Sequence, residues 1–266
     1  MISAGVDVGS ATTKVVLLRG RKVEGFRICP TGFDLPEASE IAFRWALESA
    51  GLRPGDVGRI RATGYGRHSV KFARGTVSEI TAHARGVHHL FPGAEGVIDI
   101  GGQDSKVILL RKGRVADFLM NDKCAAGTGM FLEYTARALE VSTGELGRLA
   151  LLSRHPADIS SMCTVFAGSE VISLRAQARS REDIAAGLVR SIARRVATMA
   201  RQAGLSGNLV LVGGVAKNAG VKDALERELG VELLVPPEPQ ITGALGAALP
   251  GGKRPLARRE SGRGVS

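Results

Sequence analysis

Residues 97–133 read VIDIGGQDSKVILLRKGRVADFLMNDKCAAGTGMFLE. The apolar run 97–100 predicts a strand that ends in the turn Gly101-Gly102-Gln103-Asp104. A β-hairpin follows, 106–110 and 114–120, turning at Gly113. Cys124 then stands at the mouth of a small-residue turn, 125–129, that opens a helix. A glycine turn suited to phosphate and a thiol are thus placed in one supersecondary unit.

The same pattern occurs earlier in the chain. Residues 6–23, VDVGSATTKVVLLRGRKV, lie on 98–115, IDIGGQDSKVILLRKGRV, with eight of 18 positions identical. Asp7 falls on Asp99, Gly9 on Gly101 and Lys14 on Lys106. Self-similarity at one offset signals two copies of one structural unit. Each copy reads strand, glycine turn, strand, turn, strand, so two twisted sheets should face each other across a cleft. Glycine lets backbone approach a ligand, and successive N–H groups in such turns form an anion nest. One copy alone would read as a plain hairpin. Two matched copies argue for a nucleotide gripped from both sides.

Composition bounds the rest. At 266 residues and 44% hydrophobic content, the chain can bury one large core or two smaller ones. No apolar run reaches the roughly 18 residues of a membrane span, and no signal peptide is evident. Three cysteines, an odd number, argue against a disulfide framework and for a reducing cytoplasm. The net charge of +10 is partly carried by a Gly/Arg/Ser tail, 251–266, expected to be disordered. Aromatic residues make up only 4%, too few for a base-stacking platform, so nucleic acid is not the expected partner. An acidic protein or an anionic cofactor fits the charge as well.

Elsewhere the pattern alternates strands and helices. Cys29, before Pro30 in a strand-like run, reads as a small buried hydrophobe. Pro36 starts a helix whose apolar face should include Ile41 and Trp45, ended by Gly51. The segment 63–67, Thr-Gly-Tyr-Gly-Arg, reads equally as cleft wall or ordinary loop. A helix over 78–90 carries His83, His88 and His89, read as solvated or core histidines because no carboxylate or cysteine stands at ligand spacing. Ser180 should cap a long amphipathic helix. A buried strand at 208–212 ends at Gly213-Gly214, a helix is expected over 216–229, and a strand over 231–235. Residues 241–244 open a closing helix.

Cys124 and Cys163 each precede a predicted helix. Isolated thiols are more often packing residues than ligands. Helix N-termini in general favour thiolate, however, and a zinc or iron–sulfur site normally takes four of them. Two per chain become four on a two-fold axis, so a cluster shared by a homodimer is the economical reading.

The motifs DVGSATTK (7–14), DIGGQDSK (99–106), KCAAGTG (123–129), MCTVFA (162–167) and GGVAKN (213–218) together resemble the activators of 2-hydroxyacyl-CoA dehydratases. That family includes the ATP-hydrolysing subunits of benzoyl-CoA reductases, and the likeness runs over roughly 2–249. It implies an α/β, actin/hexokinase-like ATPase fold, two duplicated ribonuclease-H-like lobes around a nucleotide cleft. The lobes would be 1–92 and 93–240, with 241–250 as closing helix. It also implies a homodimer holding one 4Fe–4S cluster through Cys124 and Cys163 of both chains. ATP hydrolysis would drive one electron to an acyl-CoA dehydratase or reductase, with ferredoxin or flavodoxin as donor. Gly9, Ser10, Thr12, Thr13 and Lys14 would cradle phosphates from one lobe, and Gly101, Gly102 and Gln103 from the other. Asp7 and Asp99 would hold Mg²⁺, and Asp104 or Gln103 would orient the attacking water. Gly213, Gly214, Asn218, Gln240, Gly243 and Ala244 would surround the adenosine of ATP or ADP. The chain departs from the family at Gly168, where an acidic residue commonly follows the Phe-Ala pair. The rival readings are a small-molecule kinase of the same fold without a cluster, and a non-catalytic actin-like or nucleic-acid-binding ATPase.

Overall fold

The computed structural model describes residues 1–160 and 163–250. The tail and residues 161–162, which open the second cysteine motif, lie outside the described residues. The first sheet is built by β1 (Ile2–Val8), β2 (Thr12–Arg19), β3 (Lys22–Pro30) and β4 (Val57–Thr63), in the order β3-β2-β1-β4. The second contains β5 (Gly96–Ile100), β6 (Ser105–Arg111), β7 (Arg114–Asn121), β8 (Leu209–Val212) and β9 (Leu233–Leu234), in the order β7-β6-β5-β8-β9. β1 and β5 are buried along their whole lengths, as central strands covered on both faces require.

The repeat is reproduced pair for pair. Asp7 sits opposite Lys14 across β1 and β2, and Asp99 opposite Lys106 across β5 and β6. Even the irregularity recurs, between Leu17 and Leu18 in one sheet and Leu109 and Leu110 in the other. Each central strand also pairs in parallel with a strand on its far side, β1 with β4 and β5 with β8.

Helices cover both sheets. α1 (Leu35–Ser49), capped by Asp34, buries Ala38, Ala42, Phe43, Ala46 and Leu47 against the first sheet. Trp45, expected on that face, is 45% exposed and Ile41 only half-buried. The stripe follows 38-42-46 and 43-47, which turns position 45 outward. Cys29 is buried in the same core, as expected. α3 (Gly129–Ala138), α4 (Thr143–Leu152), α5 (Thr164–Ala176), α6 (Arg181–Gln202) and α7 (Ala219–Leu229) follow. Side chains from all five enter the core beside the second sheet. The helix expected over 216–229 is divided: a 3₁₀ turn, Gly214–Lys217, precedes Asn218, whose side chain accepts from the Val221 amide and starts α7 afresh. The strand expected over 231–235 shrinks to β9, because only Leu209 and Val210 offer it partners.

Two helices tie the sheets together. α2 (Glu79–Leu90), capped by Ser78, puts Ala84 and Val87 on the second sheet. α8 (Thr242–Ala248), from the far end of the chain, puts Ala244, Leu245 and Ala248 on the first. They approach so closely that a Cβ on Gly86 would strike the Thr242 carbonyl, and one on Gly246 the Ala82 carbonyl. Among the described residues no helix is long and apolar enough to cross a membrane.

This contact yields a stability prediction. Gly246→Val should cost about 3 kcal/mol or more through overpacking, whereas Gly55→Ala, with open space around its Cβ, should leave stability nearly unchanged. Urea unfolding of the two variants checks the difference.

Candidate nucleotide cleft and cysteine turns

Between the sheets lies a cleft of about 820 Å³. Its walls are the turns that leave β1, β5 and β8, the carboxyl ends where open α/β sheets bind ligands. The first two turns are closed alike: the Gly9 amide donates to the Thr12 carbonyl (3.1 Å), and the Gly101 amide to the Asp104 carbonyl (2.9 Å). Gly9, Ser10, Thr12 and Lys14 line one side, facing Gly101, Gly102, Gln103 and Asp104. Asp7, Asp99, Gly213, Gly214, Asn218 and Gln240 complete the expected set on the walls. The segment 63–67 joins them through Gly64, Tyr65 and Arg67.

Three expected residues lie elsewhere. Thr13 is buried behind its turn, its hydroxyl 3.0 Å from that of Thr31, which donates in turn to the Gly9 carbonyl (2.8 Å). Gly243 and Ala244 belong to buried α8 instead of the cleft wall. A Cβ on Gly243 would stand 2.9 Å from an Asp7 carboxylate oxygen and 3.1 Å from His83 Nε2. That glycine therefore admits α8 beneath Asp7. The closing helix expected over 241–250 is present as α8; what differs is that its Gly243 and Ala244 pack inside the protein and do not line the cleft.

The electrostatics centre on Lys106. Its Nζ lies 2.7 Å from Asp104 Oδ2, 2.9 Å from Glu79 Oε2 and 3.4 Å from Asp99 Oδ2. Burial alone would lower its pKa; Asp99, Glu79 and Asp104 outweigh that and hold the ammonium well above its ordinary range. Burial likewise opposes ionisation of Asp99, but His83, Lys106 and Lys14 together pull its pKa below the usual value. His83 Nε2 is 3.5 Å from Asp99, and its Nδ1 is 3.0 Å from the Thr242 hydroxyl. Lys14 repeats the pairing in the first lobe, 3.4 Å from Asp7. Glu79 and the role of His83 escaped the sequence reading, since only the docking of α2 on the second sheet brings Glu79 to Lys106 and His83 to Asp99.

Cys124 is half-buried in the turn after β7, where the Asn121 side-chain amide holds the carbonyls of Cys124 (2.9 Å) and Ala126 (3.0 Å). Thr128, four residues beyond Cys124, is the N-cap of α3, while Cys163 is exposed and is itself the N-cap of α5. The first amides of α3 reach back to the phosphate turn: Gly129 donates to the Gly101 carbonyl and Met130 to that of Gly102, both at 2.8 Å. α5 crosses α3 at Gly168, where a Cβ would come within 2.5 Å of the Tyr134 ring, which accounts for glycine at that position. Around the two turns Met130, Tyr134, Val165, Phe166 and Ile172 are exposed. Among the described residues no three histidine, cysteine or acidic side chains gather to hold a metal within one chain.

Lys106→Met should cost about 3 kcal/mol, because it strands a buried carboxylate. The depressed pKa of Asp99 contributes stability above its unfolded value, about 4, and that contribution is lost as pH falls through the folded value. The deficit of the variant should therefore be widest at neutral pH and narrow on acidification, as denaturant melts at a series of pH values will show.

Comparison with known proteins agrees with this geometry. The 2-hydroxyisocaproyl-CoA dehydratase activator of Clostridioides difficile is 43% identical over 251 residues, 94% of either chain. A benzoyl-CoA reductase polypeptide of Thauera aromatica is 35% identical over 267 residues, 95% of this chain and 94% of that one. The solved activator of the 2-hydroxyisocaproyl-CoA dehydratase from Clostridium difficile with bound ADPNP superposes with a TM-score of 0.89 at 43% identity, covering 93% of each chain. A glucokinase of Streptomyces griseus, 16% identical with a TM-score of 0.57 and covering 93% of this chain and 98% of its own, shares the fold alone. The fold is thus the α/β ATPase fold of the actin and hexokinase type. The model of the BadF/BadG/BcrA/BcrD ATPase family matches residues 4–251, taking in both sheets and both cysteine turns, and the chain belongs to that family.

Proposed function

We propose that this chain is an ATP-driven one-electron donor that works as a homodimer around a shared 4Fe–4S cluster, reductively activating an acyl-CoA dehydratase or reductase. The observation that carries the reading is the pair of hydrogen bonds from the Gly129 and Met130 amides to the Gly101 and Gly102 carbonyls. Through them the phosphate turn and the helix after Cys124 move as one piece. The named activities of the relatives support the dehydratase or reductase as partner, and the ADPNP-bound neighbour supports ATP or ADP in the cleft. Ferredoxin or flavodoxin would supply the electron.

The donor sets fit the groups this requires. Six carboxylates (Asp7, Glu79, Asp99, Asp104, Asp122 and Glu133) face four cationic side chains (Lys14, Arg67, Lys106 and Lys217) on the cleft wall, an acidic surplus suited to Mg²⁺ accompanying the phosphates, with Asp7 and Asp99 as the residues that would hold it. Cys124 and Cys163 start neighbouring segments beside packed helices α3 and α5, and thiolates are the ligands iron–sulfur clusters take. When bound, the cluster supplies a low-potential electron and Mg²⁺ neutralises phosphate charge.

The chain's own residues bind and orient. Gly9, Ser10, Thr12 and Lys14 hold phosphates from one side, and Gly101, Gly102 and Gln103 from the other, with Thr13 bracing the first turn through Thr31. Gly213, Gly214, Asn218 and Gln240 enclose the adenosine, while Gly243, outside the cleft lining, lets α8 pack beneath Asp7. Asp104, fixed by Lys106, accepts a hydrogen bond from the attacking water, with Gln103 as its neighbour.

Asp104→Asn should therefore slow ATP hydrolysis on the order of 100-fold while changing ATP affinity little; equal losses in turnover and binding, measured by phosphate release and calorimetry, would show a purely structural Asp104. Iron analysis of anaerobically purified protein should find one cluster per two chains. Cys124→Ser and Cys163→Ser should each abolish it, and Cys29→Ser should not. A colourless wild-type protein that phosphorylates a small-molecule acceptor would overturn the reading.

A further inference from the structure

A second cavity, of about 240 Å³, lies away from the nucleotide cleft and against the first cysteine turn. One face of α6 supplies Arg190, Arg194, Arg195 and Thr198, spaced as neighbours along a helix, while Ala126 and Gly127 close the other side. Gly127, three residues after Cys124, adopts a left-handed φ of 84°, and a Cβ there would stand 3.1 Å from Arg195 Cδ. The backbone of the cysteine turn thus rests on the Arg195 side chain.

The charges here are unbalanced. Arg190 finds only long contacts, 3.4 Å to the Ala157 carbonyl and 3.4 Å to exposed Asp158. Arg194 reaches Glu228 at 3.4 Å. Arg195 has no hydrogen bond or ion pair among the described residues, and its Nε is buried without a partner. No carboxylate lines the cavity among the described residues. A buried guanidinium nitrogen left unpaired is costly, and an anion with several acceptor oxygens is what relieves it. Guanidinium forks match phosphate in two-point geometry. The volume lies below the roughly 300 Å³ at which pockets begin to take whole drug-sized molecules, so it suits a phosphoryl group and not a nucleoside.

We propose that this cavity is a phosphate-binding site, and that its occupancy steadies the turn that carries Cys124. The ligand is a phosphate dianion, free or as the exposed end of a phosphomonoester. The site stands independently of what the nucleotide cleft does.

The test uses the full chain with its cleft filled by a non-hydrolysable ATP analogue. Calorimetric titration with inorganic phosphate should show one site per chain, weakened at least tenfold in Arg195→Gln. Phenyl phosphate forms the second arm: binding like that of phosphate identifies a phosphomonoester end as the ligand, and its exclusion restricts the site to the free anion. Hydrogen exchange of the peptide spanning 121–129 should slow with phosphate in the wild type and stay unchanged in Arg195→Gln. Unaltered affinity of the variant for the analogue shows that it is folded. The proposal is overturned if wild-type protein binds no phosphate beyond the filled cleft, or if Arg195→Gln binds as tightly or shows the same exchange protection. Failure of the analogue to bind would count against the ATPase reading alone, since the phosphate titration is read from Arg195 dependence.

Discussion

One buried ammonium, Lys106 Nζ, faces carboxylates from three places in the chain. Asp99 comes from the central strand of the second sheet, Asp104 from its phosphate turn, and Glu79 from the helix that joins the two sheets. Each carboxylate would be costly alone in this low-dielectric setting. Together around Lys106, with His83 beside Asp99, they set the position of the phosphate turn relative to α2. A carboxylate held this way is pre-oriented, and orientation supplies most of what a phosphoryl-transfer site asks of its protein.

The glycine carbonyls of that turn continue the same rigidity outward. Because they accept from the first amides of α3, the turn cannot shift without moving the helix start, and the Cys124 segment lies only a few residues before it. A ligand can drive such a pair of arrangements only through a difference in its affinity for them, and Gly101 and Gly102, whose carbonyls make these bonds, both line the cleft.

How much of this was legible beforehand follows from which contacts are local. The repeat announced two sheets, because strand period and turn length are local properties; it matched Asp7 to Asp99 and Lys14 to Lys106 between copies, and the register then set each Asp opposite its Lys. The cysteine turns were visible for the same reason. Glu79 and His83 were not, since they reach the cleft only through packing of α2 on the second sheet. Thr13 was misplaced by the alternation of its own strand: its neighbours Thr12 and Lys14 face the cleft, while Thr13 faces Thr31. Gly243 and Ala244, expected both in the closing helix and around the adenosine, are in the helix but away from the cleft wall, where small residues serve close approach. Trp45 was assigned inward on hydrophobicity, although helix phase turns it out.

The placement of α8 bears on the order in which this chain can be assembled during synthesis. One face of the first sheet, with Val16 and Leu18, is covered by Ala244, Leu245 and Ala248, which leave the ribosome after every other described element. Until then β1 and β2 are made but uncovered on that side, although α1 can already cover the other. A nascent chain halted before α8 would therefore carry an exposed apolar sheet face and an unlinked pair of lobes, the kind of surface that recruits chaperones. α8 acts as the clasp of the first lobe, so the nucleotide cleft becomes whole only once both sheets and this helix have been made.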